Sequence, residues 1–237
     1  MEEAFVQGRG MLYGIGVGPG DPELMTLKAV RLIEACDVVA IPRSGKEVNA
    51  AYTIVAGAVA DIGQKPLIEV DMPMIRDPEK LAQSHDAAAA QIMSLLDEGK
   101  DVAFLTLGDP SIYSTYIYVH QRVRSAGYQA QLIAGIPSFC AAAARLNEGL
   151  TEASKALHII PASYGGLEEA LALPGTKVLM KSGRAIGKIK QVLRSMENSH
   201  TVGMVERCGM EGERVYRSAG EIDEEAGYFS LLVVKEK

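Results

Sequence analysis

The sequence predicts an α/β protein of two α/β domains, an N-terminal one built on a five-stranded parallel sheet and a C-terminal one on a mixed sheet. Three observations carry this. Apolar strand-like runs and amphipathic helix-like runs alternate through residues 1–134. Two of those strands end in glycine turns that open directly into helices. Beyond residue 135 the strand-like runs draw together into close pairs toward the C terminus, which favours antiparallel hairpins beside any parallel strands. The domains are expected at 1–134 and 135–237, with the boundary in the segment 134–137.

The first strand is the apolar run 11–17, and its end overlaps the turn Gly14-Ile15-Gly16-Val17-Gly18-Pro19-Gly20-Asp21-Pro22. Glycines at alternate positions admit left-handed backbone and let other atoms come close, while Pro19 and Pro22 stiffen the turn. Asp21 suits a helix cap with Pro22 at the first helical position, so a helix is expected over 24–35. A second strand follows at 38–41, a helix at 50–60 and a third strand at 65–70. The long helix 79–98 is closed by Gly99. The nearly all-apolar run 101–107 reads as a strand covered on both faces and stops at Gly108-Asp109-Pro110. A helix at 112–126 and a strand at 129–134 complete the first domain. In the second, helices are expected at 139–146, 167–173 and 186–196, with strands at 157–161, 177–182, 201–207, 213–217 and 228–235.

Composition bounds the function. A formal charge of −6 argues against a nucleic-acid partner, although a local basic patch could still receive a small anion. There is no 18-residue apolar run and no signal-peptide core near the start, so the expectation is a cytoplasmic protein without a membrane anchor. Cys36, Cys140 and Cys208 are far apart and the four histidines are scattered, which indicates neither a disulfide framework nor a metal site. A dinucleotide fingerprint fails at Pro19, where its third glycine would stand. Asp37 lies at the right distance for a ribose-binding acid but precedes the second strand instead of ending it.

Two glycine turns at the carboxyl ends of parallel strands share one edge of the sheet, the usual ligand edge of such folds. The second turn, 106–115, is equally explained as an aspartate cap ahead of a proline. A third small-residue segment, Ala134-Gly135-Ile136-Pro137-Ser138, marks the expected junction; close helix packing alone would account for it.

Taken together, G-x-G-x-G-P-G-D-P-x-L-x-T at 14–26, the strand with Gly108-Asp109-Pro110, and Gly135-Ile136-Pro137-Ser138 resemble the tetrapyrrole methylases over essentially the whole chain. Within that family, the segments 108–115, 136–146 and Tyr228-Phe229-Ser230-Leu231 are similar to the branch that methylates precorrin-2 or cobalt-precorrin-2 at ring carbon 20 during cobalamin synthesis. Ala134 departs from the proline more common before the junction glycine. The resemblance implies S-adenosyl-L-methionine as methyl donor, S-adenosyl-L-homocysteine as its product, a cofactor site in the cleft between the domains, a small tetrapyrrole substrate and a homodimer.

Carried over by position, the cofactor would meet Pro19, Leu107, Gly108, Asp109, Ile112, Ser114, Thr115, Pro137 and Ser138, with Lys181 and Val205 from the strand ends at 180–182 and 205–207. The substrate's carboxylates call for cations, for which Arg43, Arg184 and Arg207 are candidates. No catalytic base is assigned; Asp109 is a candidate only if its carboxylate faces the ring. Another ring position, the earlier uroporphyrinogen III step and a non-catalytic tetrapyrrole carrier stay open as alternatives.

Overall fold

The computed structural model describes residues 8–43, 49–73, 75 and 77–237. The chain forms two compact units, Met1–Pro137 and Ser138–Lys237, so the division falls after Pro137.

In the first unit the strands are β1 (Leu12–Gly16), β2 (Val38–Arg43), β3 (Leu67–Asp71), β4 (Val102–Thr106) and β5 (Ala130–Ile133). The helices between them are α1 (Leu27–Ala35), α2 (Ala50–Ala58), α3 (Pro78–Asp97) and α4 (Tyr116–Ser125). All pairings are parallel and the order is β3-β2-β4-β1-β5. Strand alternation sorts the core. Leu12, Val38, Ala40, Val102 and Phe104 pack with Ala88, Ile92 and Leu96 of α3 and with Tyr116, Val119 and Val123 of α4. Ile15, Val39, Ala103 and Leu105 point the other way and are just as inaccessible, with α1 packed against β1 and α2 against β4. Coverage on both faces is why β4 is buried at every position and apolar at the four before Thr106.

Two helix starts differ from the sequence expectation, for the same reason. Asp21 caps only a short 3-10 turn, Pro22–Leu24, by accepting from the Glu23 amide; the chain then extends through Met25 and Thr26, and Thr26 caps α1 through the Ala29 amide. Downstream, α4 begins at Tyr116 and not near 112, because Asp109 and Ser114 bond to nearby backbone amides and Tyr113 takes a left-handed φ of 50°. Local side-chain acceptors compete with the helix ladder, and here they win.

The second unit contains α5 (Ser138–Leu146), β6 (Leu157–Pro161), α6 (Leu167–Leu171), β7 (Thr176–Met180), α7 (Ile186–Met196), β8 (His200–Glu206), β9 (Arg214–Tyr216) and β10 (Ser230–Glu236). Its order is β6-β7-β10-β8-β9, with β6 and β7 parallel and the remaining pairs antiparallel. The sheet is therefore mixed. Leu167 and Leu171 of α6 and Ile186, Ile189 and Leu193 of α7 close over Leu179, Met204, Leu232 and Val234. On α5, Leu146 lies against Gly203, where any Cβ would stand 2.8 Å from its methyl carbon.

A cation sits fully inside this sheet. The Lys177 side chain has no exposed surface, and its ammonium stands 3.5 Å from the half-exposed Glu236 carboxylate. Although burial pushes Glu236 up, the Gly175 amide and the Lys177 ammonium more than offset this and hold the carboxyl below its usual range. A buried cation without its partner costs far more than an apolar side chain in the same space. Glu236→Ala is therefore expected to lower the urea midpoint clearly, whereas Lys177→Met is expected to be neutral or stabilising; the two melts side by side check the pair.

Candidate active site

The topology of the first unit singles out one place. From β1 the chain crosses to β2 on one side, and from β4 it crosses to β5 on the other, so the central neighbours β1 and β4 flank the point where the winding reverses. In open α/β sheets the crevice beyond the carboxyl ends of such strands receives the ligand. Both glycine turns lie there.

They are joined backbone to backbone. The Gly18 amide donates to the Gly108 carbonyl at 3.2 Å and the Gly108 amide donates to the Gly18 carbonyl at 2.8 Å. The Val17 amide adds a bond to the Thr106 carbonyl at 3.0 Å. This pairing places the buried Pro19 beside the Leu107-Gly108-Asp109 turn. Gly18 and Gly108 both have positive φ, at 81° and 70°. Gly14 and Gly16 serve space instead of backbone freedom. A Cβ on Gly14 would lie 1.9 Å from the Tyr116 ring, and one on Gly16 would lie 2.6 Å from the Gly108 carbonyl oxygen.

The third segment is tied to the second by Asp109. Its carboxylate is buried, at 8% exposure, and accepts at both oxygens. Oδ1 takes the Ser111 amide at 2.8 Å and the Ser111 hydroxyl, while Oδ2 takes the Gly135 amide at 2.9 Å. Both oxygens of Asp109, the candidate base, are thus bonded to the chain's own donors. Ser114 is similarly occupied, its hydroxyl lying 2.6 Å from that of Thr106. Ile112 is half-buried, and Thr115 is exposed and begins α4 without a side-chain cap bond. Pro137 and Ser138 are half-buried and stand on either side of the division between the units.

Beneath this edge, Tyr116 fills the space left by Gly14, and its hydroxyl meets His120 Nδ1 at 3.0 Å. Burial raises the phenol, and burial with Arg124 nearby pushes His120 below the usual imidazole range, so both shifts favour the neutral forms. Arg43 ends β2 on the same edge of the sheet, exposed, with Asp71 at 3.5 Å and Glu69 at 3.8 Å.

In the second unit, β6, β7 and β8 all run the same way, and the expected residues lie at one edge of that sheet. Lys181 and Arg207 each follow a strand and each adopt left-handed backbone, at φ 53° and 54°. Non-glycine residues in that region are costly and concentrate at functional sites. Val205 is buried within β8. The segment 227–230 braces both strand ends: Ser182 Oγ donates to the Ser230 carbonyl, the Arg207 amide donates to the Phe229 carbonyl, and the Gly227 amide donates to Glu206. An open depression of about 470 Å³ beside Arg207 is lined by Glu206, Glu211, Asp223 and Glu225 together with Arg214. Arg207 Nε already donates to the Glu211 carbonyl there. The backbone of Arg184 lies in a 3-10 turn, and its side chain is outside the described set. Among the described residues no three His, Cys, Asp or Glu side chains could hold a metal ion, and no helix is long and apolar enough to cross a membrane.

Sequence reasoning missed the Asp109–Gly135 and Thr106–Ser114 pairings and the brace at 227–230. The sequence marks the segments that hold these residues, yet nothing in it says which residue pairs with which.

A profile of the Tetrapyrrole (Corrin/Porphyrin) Methylases matches residues 11–223, which spans every strand from β1 to β9. The chain belongs to the tetrapyrrole methylase family. A probable cobalt-precorrin-2 C(20)-methyltransferase of Methanocaldococcus jannaschii is 34% identical to this methylase over 228 residues, covering 94% of the chain and 95% of the relative. The precorrin-2 C(20)-methyltransferase of a Sinorhizobium species is 30% identical over 235 residues, 96% of each. Among solved structures, the uroporphyrin-III C-methyltransferase of Thermus thermophilus complexed with S-adenosylhomocysteine shares the fold of this methylase, with a TM-score of 0.67 at 19% identity over 95% of the chain and 97% of that one.

Proposed function

We propose that this methylase uses S-adenosyl-L-methionine to methylate precorrin-2 or cobalt-precorrin-2 at ring carbon 20 in cobalamin synthesis, releasing S-adenosyl-L-homocysteine. The observation that carries the reading is the bridged pair of glycine turns at the winding reversal, in a chain alike over nearly its full length to proteins named for that reaction. We take it to act in the cytoplasm as a homodimer.

The residues fit a cofactor that needs close backbone approach: Pro19, Leu107, Gly108 and the Asp109 backbone offer a stiff edge with few side chains. When bound, the cofactor supplies a methyl group already activated by its sulfonium. The chain has no strong reagent to generate; its work is to fix the methyl in line with an electron-rich ring carbon and to exclude water. Lys181 and Val205 are cofactor candidates by the resemblance alone. Of the cations assigned to substrate carboxylates, Arg43 would exchange Asp71 and Glu69 for the substrate, and Arg207 would do so within acidic surroundings. Arg184 completes that assignment. The proton lost from the methylated carbon is left to the substrate or to water, since Asp109 is engaged elsewhere.

Anaerobic incubation with methyl-labelled S-adenosylmethionine and, separately, precorrin-2 and cobalt-precorrin-2 tests this. One new label at carbon 20, read by mass spectrometry and carbon NMR, is the expected result and identifies the metal state used. Label at another position moves the assignment within the family. Cofactor binding with no transfer to either ring overturns the substrate assignment.

A further inference from the structure

We infer that Asp109 is a positioning residue whose carboxylate sets the separation between the turn after β4 and the turn after β5, thereby holding the cofactor edge in its binding shape; the inference rests on the proposed function above. Three features of the geometry point there.

The first is that the carboxylate is bonded from two directions. Oδ1 serves the aspartate's own turn through Ser111, and Oδ2 reaches the Gly135 amide, 26 positions away. A helix cap needs only the first of these. The second is the tightness of what the clamp holds. Gly135 stands so near Gly108 that a Cβ on it would lie 2.1 Å from the Gly108 carbonyl oxygen and 2.8 Å from Gly16. At so close an approach a small separation of the turns breaks their contacts, and the Gly135 amide has its acceptor in Asp109 Oδ2. The third is charge. A carboxylate accepts at both oxygens, so it can meet donors on both sides at once; no neutral side chain of the same shape does so.

The test follows from that last point. Asp109→Asn keeps the size and one acceptor, but its NH₂ must face an N–H either at Ser111 or at Gly135. An unsatisfied buried donor of this kind is expected to cost roughly tenfold to a hundredfold in affinity for S-adenosylhomocysteine. The full-length wild type and variant are compared by calorimetric titration and by hydrogen exchange at the Gly135 amide. The expected result is weaker binding together with faster exchange at Gly135. Turnover should fall through KM for S-adenosylmethionine more than through kcat, with the pH profile unmoved. Ser111→Ala removes one bond and leaves that of Gly135, so it should lose less affinity and keep the Gly135 amide protected. Asp109→Glu retains both acceptors on a longer stem and should recover part of the loss.

Unchanged exchange at Gly135 in Asp109→Asn overturns the clamp, and if affinity has nevertheless fallen it makes Asp109 a direct cofactor contact. A loss confined to kcat, with affinity intact and an acidic limb removed from the pH profile, overturns it in favour of proton transfer. If Asp109→Asn does not fold, Asp109→Glu and the wild-type Gly135 amide decide, because an unprotected Gly135 in the folded wild type is incompatible with the clamp. A wild type that binds no S-adenosylhomocysteine removes the functional reading, and the exchange comparison still tests the clamp by itself.

Discussion

Alanine at Gly135 is expected to abolish measurable cofactor binding and to destabilise the N-terminal unit by about 1–3 kcal/mol, the usual range for atoms forced into filled space. The obstacle is backbone on both sides. The new methyl would stand 2.1 Å from the Gly108 carbonyl oxygen and 2.8 Å from the Cα and carbonyl carbon of Gly16, and neither can rotate away as a side chain can. Relief requires the turns after β4 and β5 to separate, which stretches the Asp109–Gly135 bond and displaces the turn already bridged to Gly18. Denaturant melts and a titration with S-adenosylhomocysteine measure the two effects. Wild-type affinity in Gly135→Ala would mean that the three turns adjust independently, contrary to their shared hydrogen bonds.

Removing Tyr116 should produce the largest loss of stability. The ring is 1% exposed, packs on Phe104 at 5.0 Å between centroids, and occupies the place of the missing Gly14 side chain. Truncating a buried aromatic to alanine costs about 3–5 kcal/mol. For a chain of this size that lowers the thermal midpoint by roughly 2–4 °C per kcal/mol. Tyr116→Phe should cost only about 1 kcal/mol, through the lost bond to His120. A double-mutant cycle sharpens the claim. Gly14→Ala alone meets the ring at 1.9 Å and should destabilise strongly, whereas in the Tyr116→Ala background the same methyl enters vacated space and should cost much less. Additive effects would show that the ring and Gly14 do not share this volume.

How far the sequence predicts such features depends on the range of the interaction behind them. The strand Leu157–Pro161 and the helix Ile186–Met196 agree with expectation to the residue, because apolar periodicity and flanking turn residues are local signals. The start of α4 differs by about one turn of helix, since Asp109 and Ser114 redirect the amides that would have begun it. Gly14 and Gly16 are legible as special, but the expected reason, backbone freedom, holds only for Gly18 among the described turn residues before Pro19. The other two give way to a ring and a carbonyl far along the chain. Asp109 is the clearest case. Its bond to Ser111 can be read from neighbours, whereas its partner at Gly135 is invisible until β4 and β5 flank β1.

That arrangement of the central strands also has a consequence in time. β1 and its glycine turn leave the ribosome before β4 and β5, with which β1 pairs, and the Met11 amide finds its acceptor, Asp101, 90 positions later. Closing so long a loop is slow, and it must happen before the first turn has anything to lean on. A nascent chain halted before β4 thus carries the signature motif without a pocket. Ligand can stabilise only chains that have passed this point, by mass action on the completed unit, so added S-adenosylhomocysteine should protect released protein from proteolysis and leave shorter nascent chains untouched.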